Sequence, residues 1–387
     1  MEKKFKIPRQ IVIFCDDNDN KFNEHNPRSL FFLNKKPFLH YLIIYYAKQG
    51  INNFYFLVQN NVKIFKNYCK KLTFKNLNIK IIKINKKKTF YENISILSEE
   101  LDNIFLFSKK SIFQNINLFD FFKVHNRLKR DVSLVIGEKY NNCKSNTIRY
   151  NVNKGFLIKD IKSKYLNTGL YLINKKIFKN NFLTKKKSYT AFENFFLEKL
   201  ILRKKISGFI NKNYKFIKIS KKISISKIKK NNSLLSKNKA VFLDRDGVLN
   251  VDYGYVYKIK HLKLEKKIFK ILNYYKHKNF IFIIITNQSG IGRKYFTFEK
   301  VMQFNIKLLE KFSKKNIRII DINICPHKPS EKCKCRKPKT KMINDASFLW
   351  NVDKKKSLMI GDKLSDYLCS KKAGLKFFYK NELEKIF

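Results

Sequence analysis

Acidic side chains are scarce in this sequence. Over 387 residues, 29 Asp and Glu face 85 Lys and Arg, a formal net charge of +56. Glycine and proline are also thin, at 11 and 6, while Phe (37) and Tyr (20) are abundant. A charge this large ordinarily points to a polyanionic partner. Here the bases are spread along the whole chain and come with many Asn, Ile, Phe and Tyr, several of which AAA, AAT, ATA and TTT encode. That is the pattern of codon drift in an AT-rich genome, so a nucleic-acid partner is not expected, although the charge would favour phosphorylated substrates.

Long apolar runs are absent too. The strongest, 280–285, is far too short to span a bilayer, and no sustained apolar segment follows the opening Met-Glu-Lys-Lys-Phe-Lys. The expectation is a soluble, cytoplasmic protein with no membrane partner. A hydrophobic fraction of 44% excludes wholesale disorder, and the length allows two domains, each with its own core. Of the seven cysteines, Cys15, Cys69, Cys143 and Cys369 are scattered, as buried thiols are in a cytoplasmic chain. Cys325, Cys333 and Cys335 cluster and need another explanation.

The chain is organised around 240–250, Ala-Val-Phe-Leu-Asp-Arg-Asp-Gly-Val-Leu-Asn. Read as a buried parallel strand, it delivers Asp244 at its carboxyl end, where open α/β sheets put their chemistry, with Asp246 on the following turn. Two carboxylates so close repel each other. The stretch is therefore a divalent-metal site, an acid/base pair, or simply a strand followed by an Asp-Gly turn.

Before it, apolar runs at 11–14, 53–58, 79–84, 104–107, 132–136 and 170–173 alternate with amphipathic stretches. One of these, 37–49, places Leu39, Leu42, Ile43 and Ala47 on a single helical face. The alternation predicts an α/β domain with a mostly parallel sheet over 1–225. A polar, like-charged linker follows at 226–238, and a second α/β domain occupies 239–387.

The first half resembles the sugar-phosphate nucleotidyltransferases, whose fold is Rossmann-like. The similarity lies in Pro-Arg-Ser-Leu-Phe-Phe-Leu-Asn-Lys-Lys-Pro-Phe-Leu at 27–39 and Asn-Thr-Gly-Leu-Tyr at 167–171. Where that family has a glycine-rich loop, this chain has Cys-Asp-Asp-Asn-Asp-Asn-Lys at 15–21, without a glycine. Close approach of backbone to phosphate needs glycine, and the aspartates there would repel a triphosphate. Arg28 stands for the family's lysine. The family's two metal-binding aspartates fall on Lys110 and Lys218, whose ammonium groups cannot coordinate a metal. The resemblance thus implies a domain that has lost its catalysis and serves as a folding, docking or self-association module.

In the second half an apolar run ends in a polar cluster four times, at Asp244, at Thr286-Asn-Gln-Ser-Gly, at Cys325-Pro-His and at Gly361-Asp-Lys. A parallel sheet brings such ends to one edge. Phe-Leu-Asp-Arg-Asp-Gly, Thr-Asn-Gln-Ser-Gly, Cys-Arg-Lys-Pro and Ile-Gly-Asp-Lys occur in the order of the four motifs of the haloacid-dehalogenase (HAD) phosphatase superfamily, which this half resembles over about 239–374. Within it, Asp-Tyr-Gly-Tyr-Val at 252–256 and the Cys-Pro-His cluster are similar to the heptose 1,7-bisphosphate 7-phosphatases, which act in activated-heptose supply for lipopolysaccharide or another surface glycan. Histidinol-phosphate phosphatases share the nucleophile, the zinc loop and the metal motif. A bifunctional phosphatase and nucleotidyltransferase is a further alternative, against which Lys110, Lys218 and the missing glycines stand. Lys294 departs from the glycine common after the Arg of the second motif.

The resemblance implies Asp244 as the nucleophile that forms an aspartyl-phosphate and Asp246 as general acid and then base. It implies Mg²⁺ on Asp244, the main-chain carbonyl of Asp246, and Asp362. Thr286, with Asn287 beside it, would meet the phosphate, and Lys337 would supply positive charge. Arg336 and Lys363 would reach the rest of a sugar bisphosphate, and Asp366 would orient Lys337 or a metal-bound water. Cys325, His327, Cys333 and Cys335 form a Cys₃His set suited to tetrahedral, structural Zn²⁺. The expected architecture is two Rossmann-like α/β domains with mostly parallel sheets, the second HAD-like with a zinc loop.

Overall fold

The computed structural model describes residues 8–15, 28–30, 32–33, 36–85, 90–97, 99–109, 113–138, 148–178, 189–211, 216–217 and 236–382. Two compact units emerge, Met1–Lys71 with Leu77–Leu235, and Leu72–Asn76 with Ser236–Phe387. Most of the expected linker, the glycine-free loop after Cys15, Lys110, Lys218 and Cys143 lie outside the described residues, as does the side chain of Arg28. Among the described residues no helix is long and apolar enough to cross a membrane.

The first unit is built on a nine-stranded sheet. Its strands are β1 (Gln10–Cys15), β2 (Asn53–Val58), β3 (Asn78–Lys83), β4 (Ile104–Lys109), β5 (Val132–Glu138), β6 (Arg149–Asn153), β7 (Phe156–Lys159), β8 (Tyr165–Asn174) and β9 (Ile206–Ile210). They lie in the order β3-β2-β1-β4-β8-β5-β9-β7-β6. The four strands from β3 to β4 run parallel, as does the β5–β9 pair, while β8 is antiparallel to both of its neighbours β4 and β5. The helix Phe38–Lys48 buries Leu39, Leu42, Ile43 and Ala47, which its spacing placed on one face, but also Phe38, His40, Tyr41, Ile44 and Tyr46, so it is enclosed on nearly every side and not along one stripe.

One polar chain crosses this core. On the helix Leu118–Leu128, His125 Nδ1 pairs with Ser133 Oγ of β5 at 2.7 Å, and Ser133 pairs in turn with Ser207 of β9. Burial lowers the imidazole to a pKa of about 4 against the opposing pull of Asp131. The folded state therefore refuses a proton that the unfolded chain accepts below its ordinary value near 6.5. Stability from this group is present above that value and is lost as the pH falls from about 6.5 to about 4. Denaturant titrations should show the first unit losing ~2 kcal/mol more between pH 7 and pH 5 in the native sequence than in His125→Asn.

Among its described residues the second unit has a sheet of five strands, all parallel: β10 (Lys239–Leu243), β11 (Phe280–Asn287), β12 (Ile319–Cys325), β13 (Leu358–Gly361) and β14 (Lys376–Tyr379). The order is β12-β11-β10-β13-β14. Val241, Leu243, Ile284, Ile322 and Ile360 put the sheet into one core with the helices Ile268–His277 and Phe298–Lys314. The latter starts at Thr297, whose side chain accepts from the Lys300 amide, and buries Val301, Phe304, Leu308 and Phe312 at three- and four-residue spacing. From β10 the chain moves outward to β11 and β12, then returns to the other side of β10 for β13 and β14. The switch point thus falls between β10 and β13, at whose carboxyl ends a parallel sheet opens a crevice.

Candidate functional site

Asp244 leaves the end of β10, with its amide bonded to Ile360 O of β13 at 3.0 Å. Asp362 follows β13 directly. Between these strand ends stands Lys337, buried, with Nζ 2.7 Å from Asp244 Oδ1, 2.6 Å from Asp366 Oδ1 and 2.9 Å from Ile285 O. Burial pushes the Asp244 carboxyl up to about 7, with the Lys337 ammonium pulling the other way and Asp366 adding to the rise. For Lys337, burial works downward, but the two carboxylates outweigh it and hold the ammonium well above its ordinary value. A fixed, dry positive charge therefore sits between two acids at the sheet edge.

Asp244, Asp362 and Asp366 each bring a carboxylate oxygen within 4.8 Å of the others. They are not equivalent. Asp366 is committed, with Oδ1 on Lys337 and Oδ2 accepting from the main-chain amides of Asp362 and Lys363. Asp362 Oδ1 is buried without a hydrogen-bond partner, and burial raises the carboxyl's pKa. Such an orphaned oxygen facing a second acid is the donor set of a hard divalent cation, which would also reverse the cost of keeping both groups ionised. The residues present thus fit Mg²⁺.

Asp246 lies on the turn beyond β10. Its Oδ1 accepts from Arg245 Nε at 3.0 Å and Asn250 Nδ2 at 2.9 Å, and its Oδ2 from Arg245 Nη2 and Gln288 Nε2, both at 2.7 Å. Thr286 is buried at the end of β11 and accepts from Gln288 Nε2 at 2.9 Å. Asn287, expected on the phosphate, turns its amide elsewhere: Oδ1 accepts from the Lys337 amide at 3.0 Å and Nδ2 donates to Lys337 O at 3.2 Å. It fixes the lysine's main chain. Arg336 donates to His327 O at 3.3 Å, and Lys363 pairs with Asp252 at 2.9 Å on the exposed side. Arg245, Asn250, Gln288 and Asp252 are site residues that the sequence reading did not single out. The only signal was their presence inside motifs that had been valued for neighbouring residues.

A second cluster follows β12. Cys325 Sγ is 3.6 Å from both His327 Nδ1 and Cys333 Sγ, and Cys335 Sγ is 3.3 Å from His327 Nδ1 and 3.6 Å from Cys333 Sγ. Metal–sulfur bonds of about 2.3 Å and a metal–nitrogen bond of about 2.0 Å make a tetrahedron with edges of roughly 3.5–3.8 Å. The four donors match it, and no disulfide competes for these thiols. The loop is tied to the second motif, since the Gln288 amide donates to Cys325 O at 2.7 Å and the Gly292 amide to Pro326 O at 2.8 Å.

An aspartate at the tip of the central strand, a partner acid two residues on, a buried lysine and a cation pocket define an enzyme of phosphoryl transfer through a carboxylate. The family model for haloacid dehalogenase-like hydrolases matches residues 183–380, and the chain belongs to that family. Over 130 residues it is 44% identical to a D-glycero-alpha-D-manno-heptose-1,7-bisphosphate 7-phosphatase of Campylobacter jejuni, covering 34% of this chain and 74% of the relative. Over 150 residues it is 41% identical to a D-glycero-beta-D-manno-heptose-1,7-bisphosphate 7-phosphatase of Helicobacter pylori, covering 38% and 84%. Among solved structures, D,D-heptose 1,7-bisphosphate phosphatase from B. bronchiseptica, complexed with magnesium and phosphate, is 27% identical with a TM-score of 0.34 over 36% of this chain and 78% of that one. HddC from Yersinia pseudotuberculosis is 15% identical with a TM-score of 0.43 over 54% and 92%.

Gly247 lies against the Asp362 carboxylate. Its φ is +85°, and a Cβ there would lie 2.1 Å from Asp362 Oδ2. Gly247→Ala must displace that carboxylate. Calorimetric titration with Mg²⁺ should show affinity at least about tenfold weaker than in the native protein, each tenfold being 1.4 kcal/mol.

Proposed function

We propose that the second unit is a Mg²⁺-dependent phosphatase that removes the 7-phosphate of D-glycero-D-manno-heptose 1,7-bisphosphate. The observation that carries the chemistry is the triad of Asp244, Lys337 and Asp362 at the switch point, with Asp246 beside it. The substrate class is supported by the names of the relatives matched over most of their length. The cation, held by Asp244, the Asp246 carbonyl and Asp362, would neutralise phosphate charge.

An Asp244 oxygen attacks phosphorus, and the bond from phosphorus to the sugar oxygen breaks. The sugar oxygen leaves with the electron pair and takes a proton from Asp246. A water then attacks the aspartyl-phosphate and passes its proton to Asp246. The bond from phosphorus to Asp244 breaks, releasing inorganic phosphate and restoring the carboxylate. Lys337 keeps its charge throughout, directed at the oxygens that gain negative charge. Arg336 and Lys363 would face the second phosphate. The four-ligand Cys₃His cluster would hold structural zinc and anchor the loop that delivers Lys337.

The first unit, on this reading, is a nucleotidyltransferase-like domain without transferase activity, because Lys110 and Lys218 replace the expected metal ligands. One assay addresses both halves. Phosphate release with Mg²⁺ should be faster from the heptose bisphosphate than from histidinol phosphate, and absent in folded Asp244→Asn. An NTP with heptose 1-phosphate should yield no nucleotide sugar. Preference for histidinol phosphate would overturn the substrate assignment, and a nucleotide-sugar product the reading of the first unit.

Zinc content is a separate check. Native protein should carry one zinc per chain, and Cys335→Ser should lose the metal and most of the phosphatase activity together. Full activity at substoichiometric zinc would remove the structural role.

A further inference from the structure

Between the two aspartates of the site lies an arginine to which the reaction above gives no task. Arg245 is fully buried. Its fork grips Asp246 through two hydrogen bonds, Nε to Oδ1 at 3.0 Å and Nη2 to Oδ2 at 2.7 Å. The guanidinium is itself fixed from three sides. Nη1 donates to Asn305 Oδ1 at 3.1 Å, Nη2 also donates to Val256 O at 2.6 Å, and the Phe304 ring lies 4.8 Å from its central carbon. Asn305 and Phe304 belong to the helix Phe298–Lys314. The carboxylate is thus referred to a rigid helix and to the 252–256 loop, as well as to its own turn.

A carboxylate offers about four acceptor sites. All four are filled here, by the two Arg245 bonds and by the Asn250 and Gln288 amides. The Arg245 pair is bidentate with charge on both partners and therefore the stronger, while the other two bonds come from neutral amide donors, whose place a water could take at lower cost. The arrangement complements a carboxylate that awaits a proton from a water replacing one amide. It suits the second half-reaction, in which Asp246 accepts a proton, more than the first, in which it donates one.

We propose that Arg245 is the positioning residue for hydrolysis of the aspartyl-phosphate, holding Asp246 where it takes the proton of the attacking water. The inference rests on the phosphatase reading but not on the identity of the sugar. Its test uses the full chain with Mg²⁺ and p-nitrophenyl phosphate, whose leaving group needs no protonation. In Arg245→Lys, kcat should fall at least about tenfold while kcat/KM stays within about threefold. Rapid mixing should show a burst of nitrophenolate approaching one per active site, the mark of an accumulating covalent intermediate.

Asn305→Leu leaves the fork in place and removes only its outer support. It should show the same pattern in weaker form, and it keeps the test decisive if Arg245→Lys does not fold. Parallel loss of kcat and kcat/KM without a burst, or no change in a folded variant, would overturn the inference and leave Arg245 a structural ion pair. Failure of the native protein to hydrolyse any phosphate ester would overturn the phosphatase reading, and the inference with it. A preference for a sugar other than the heptose would leave it standing.

Discussion

Everything at the sheet edge depends on one buried ammonium. Lys337 is shared between Asp244 and Asp366, and its charge is what offsets the burial of the two carboxylates. Removing one partner from a buried pair typically costs about 3–5 kcal/mol, because the remaining charge is left uncompensated. The surroundings are arranged to keep this lysine still. Asn287 binds its main chain on both sides, and Ile285 O takes a third hydrogen of the ammonium. The thiol and imidazole cluster begins at the end of the neighbouring strand and ends two residues before Lys337, so the loop is fixed at both ends of its reach into the site.

That dependence orders the roles of the acids. Asp366 is the acid the lysine holds permanently, and its other oxygen caps the turn after β13. Asp362 keeps an unpartnered oxygen and is therefore the one left for a cation. Asp244 stands between the two demands, bound by the lysine on one oxygen, with the cation pocket beside it. Asp246 is outside this group and belongs to Arg245, Asn250 and Gln288. The site therefore has two electrostatic compartments, one around the ammonium and one around the guanidinium, joined through the short turn 244–246.

The second unit was largely legible in the sequence because β10 to β13 are buried on both faces and end abruptly in polar clusters, whereas the half-exposed edge strand β14 gave no such signal. The run 280–285 lies inside β11, and the spacing of Val301, Phe304, Leu308 and Phe312 marks the helix that contains them. Strand boundaries in the first unit were equally readable, with 53–58 matching β2 residue for residue. The antiparallel part of that sheet was not. The hairpin of β6 and β7 turns at Lys154 and Gly155, both at positive φ, and its strands carry Asn151, Asn153 and Lys159, so only the three-residue run 156–158 announces them. In the site, residue types revealed which groups could react but not which neighbours hold them. The amide of Asn287 and the fork of Arg245 could have pointed several ways, and only packing from distant elements selects one.

Glycine codons are rich in G, so the AT-rich drift expected from the composition would also work against glycine. Eleven remain, and several of those left in the second unit sit where no side chain fits. A Cβ at Gly361 would lie 2.4 Å from Asp366, one at Gly290 2.3 Å from Phe296, and one at Gly292 2.9 Å from Pro326 O. At these three positions a side chain would have to displace Asp366, the Phe296 ring or the loop after β12, so close packing, and not codon preference, dictates the residue there.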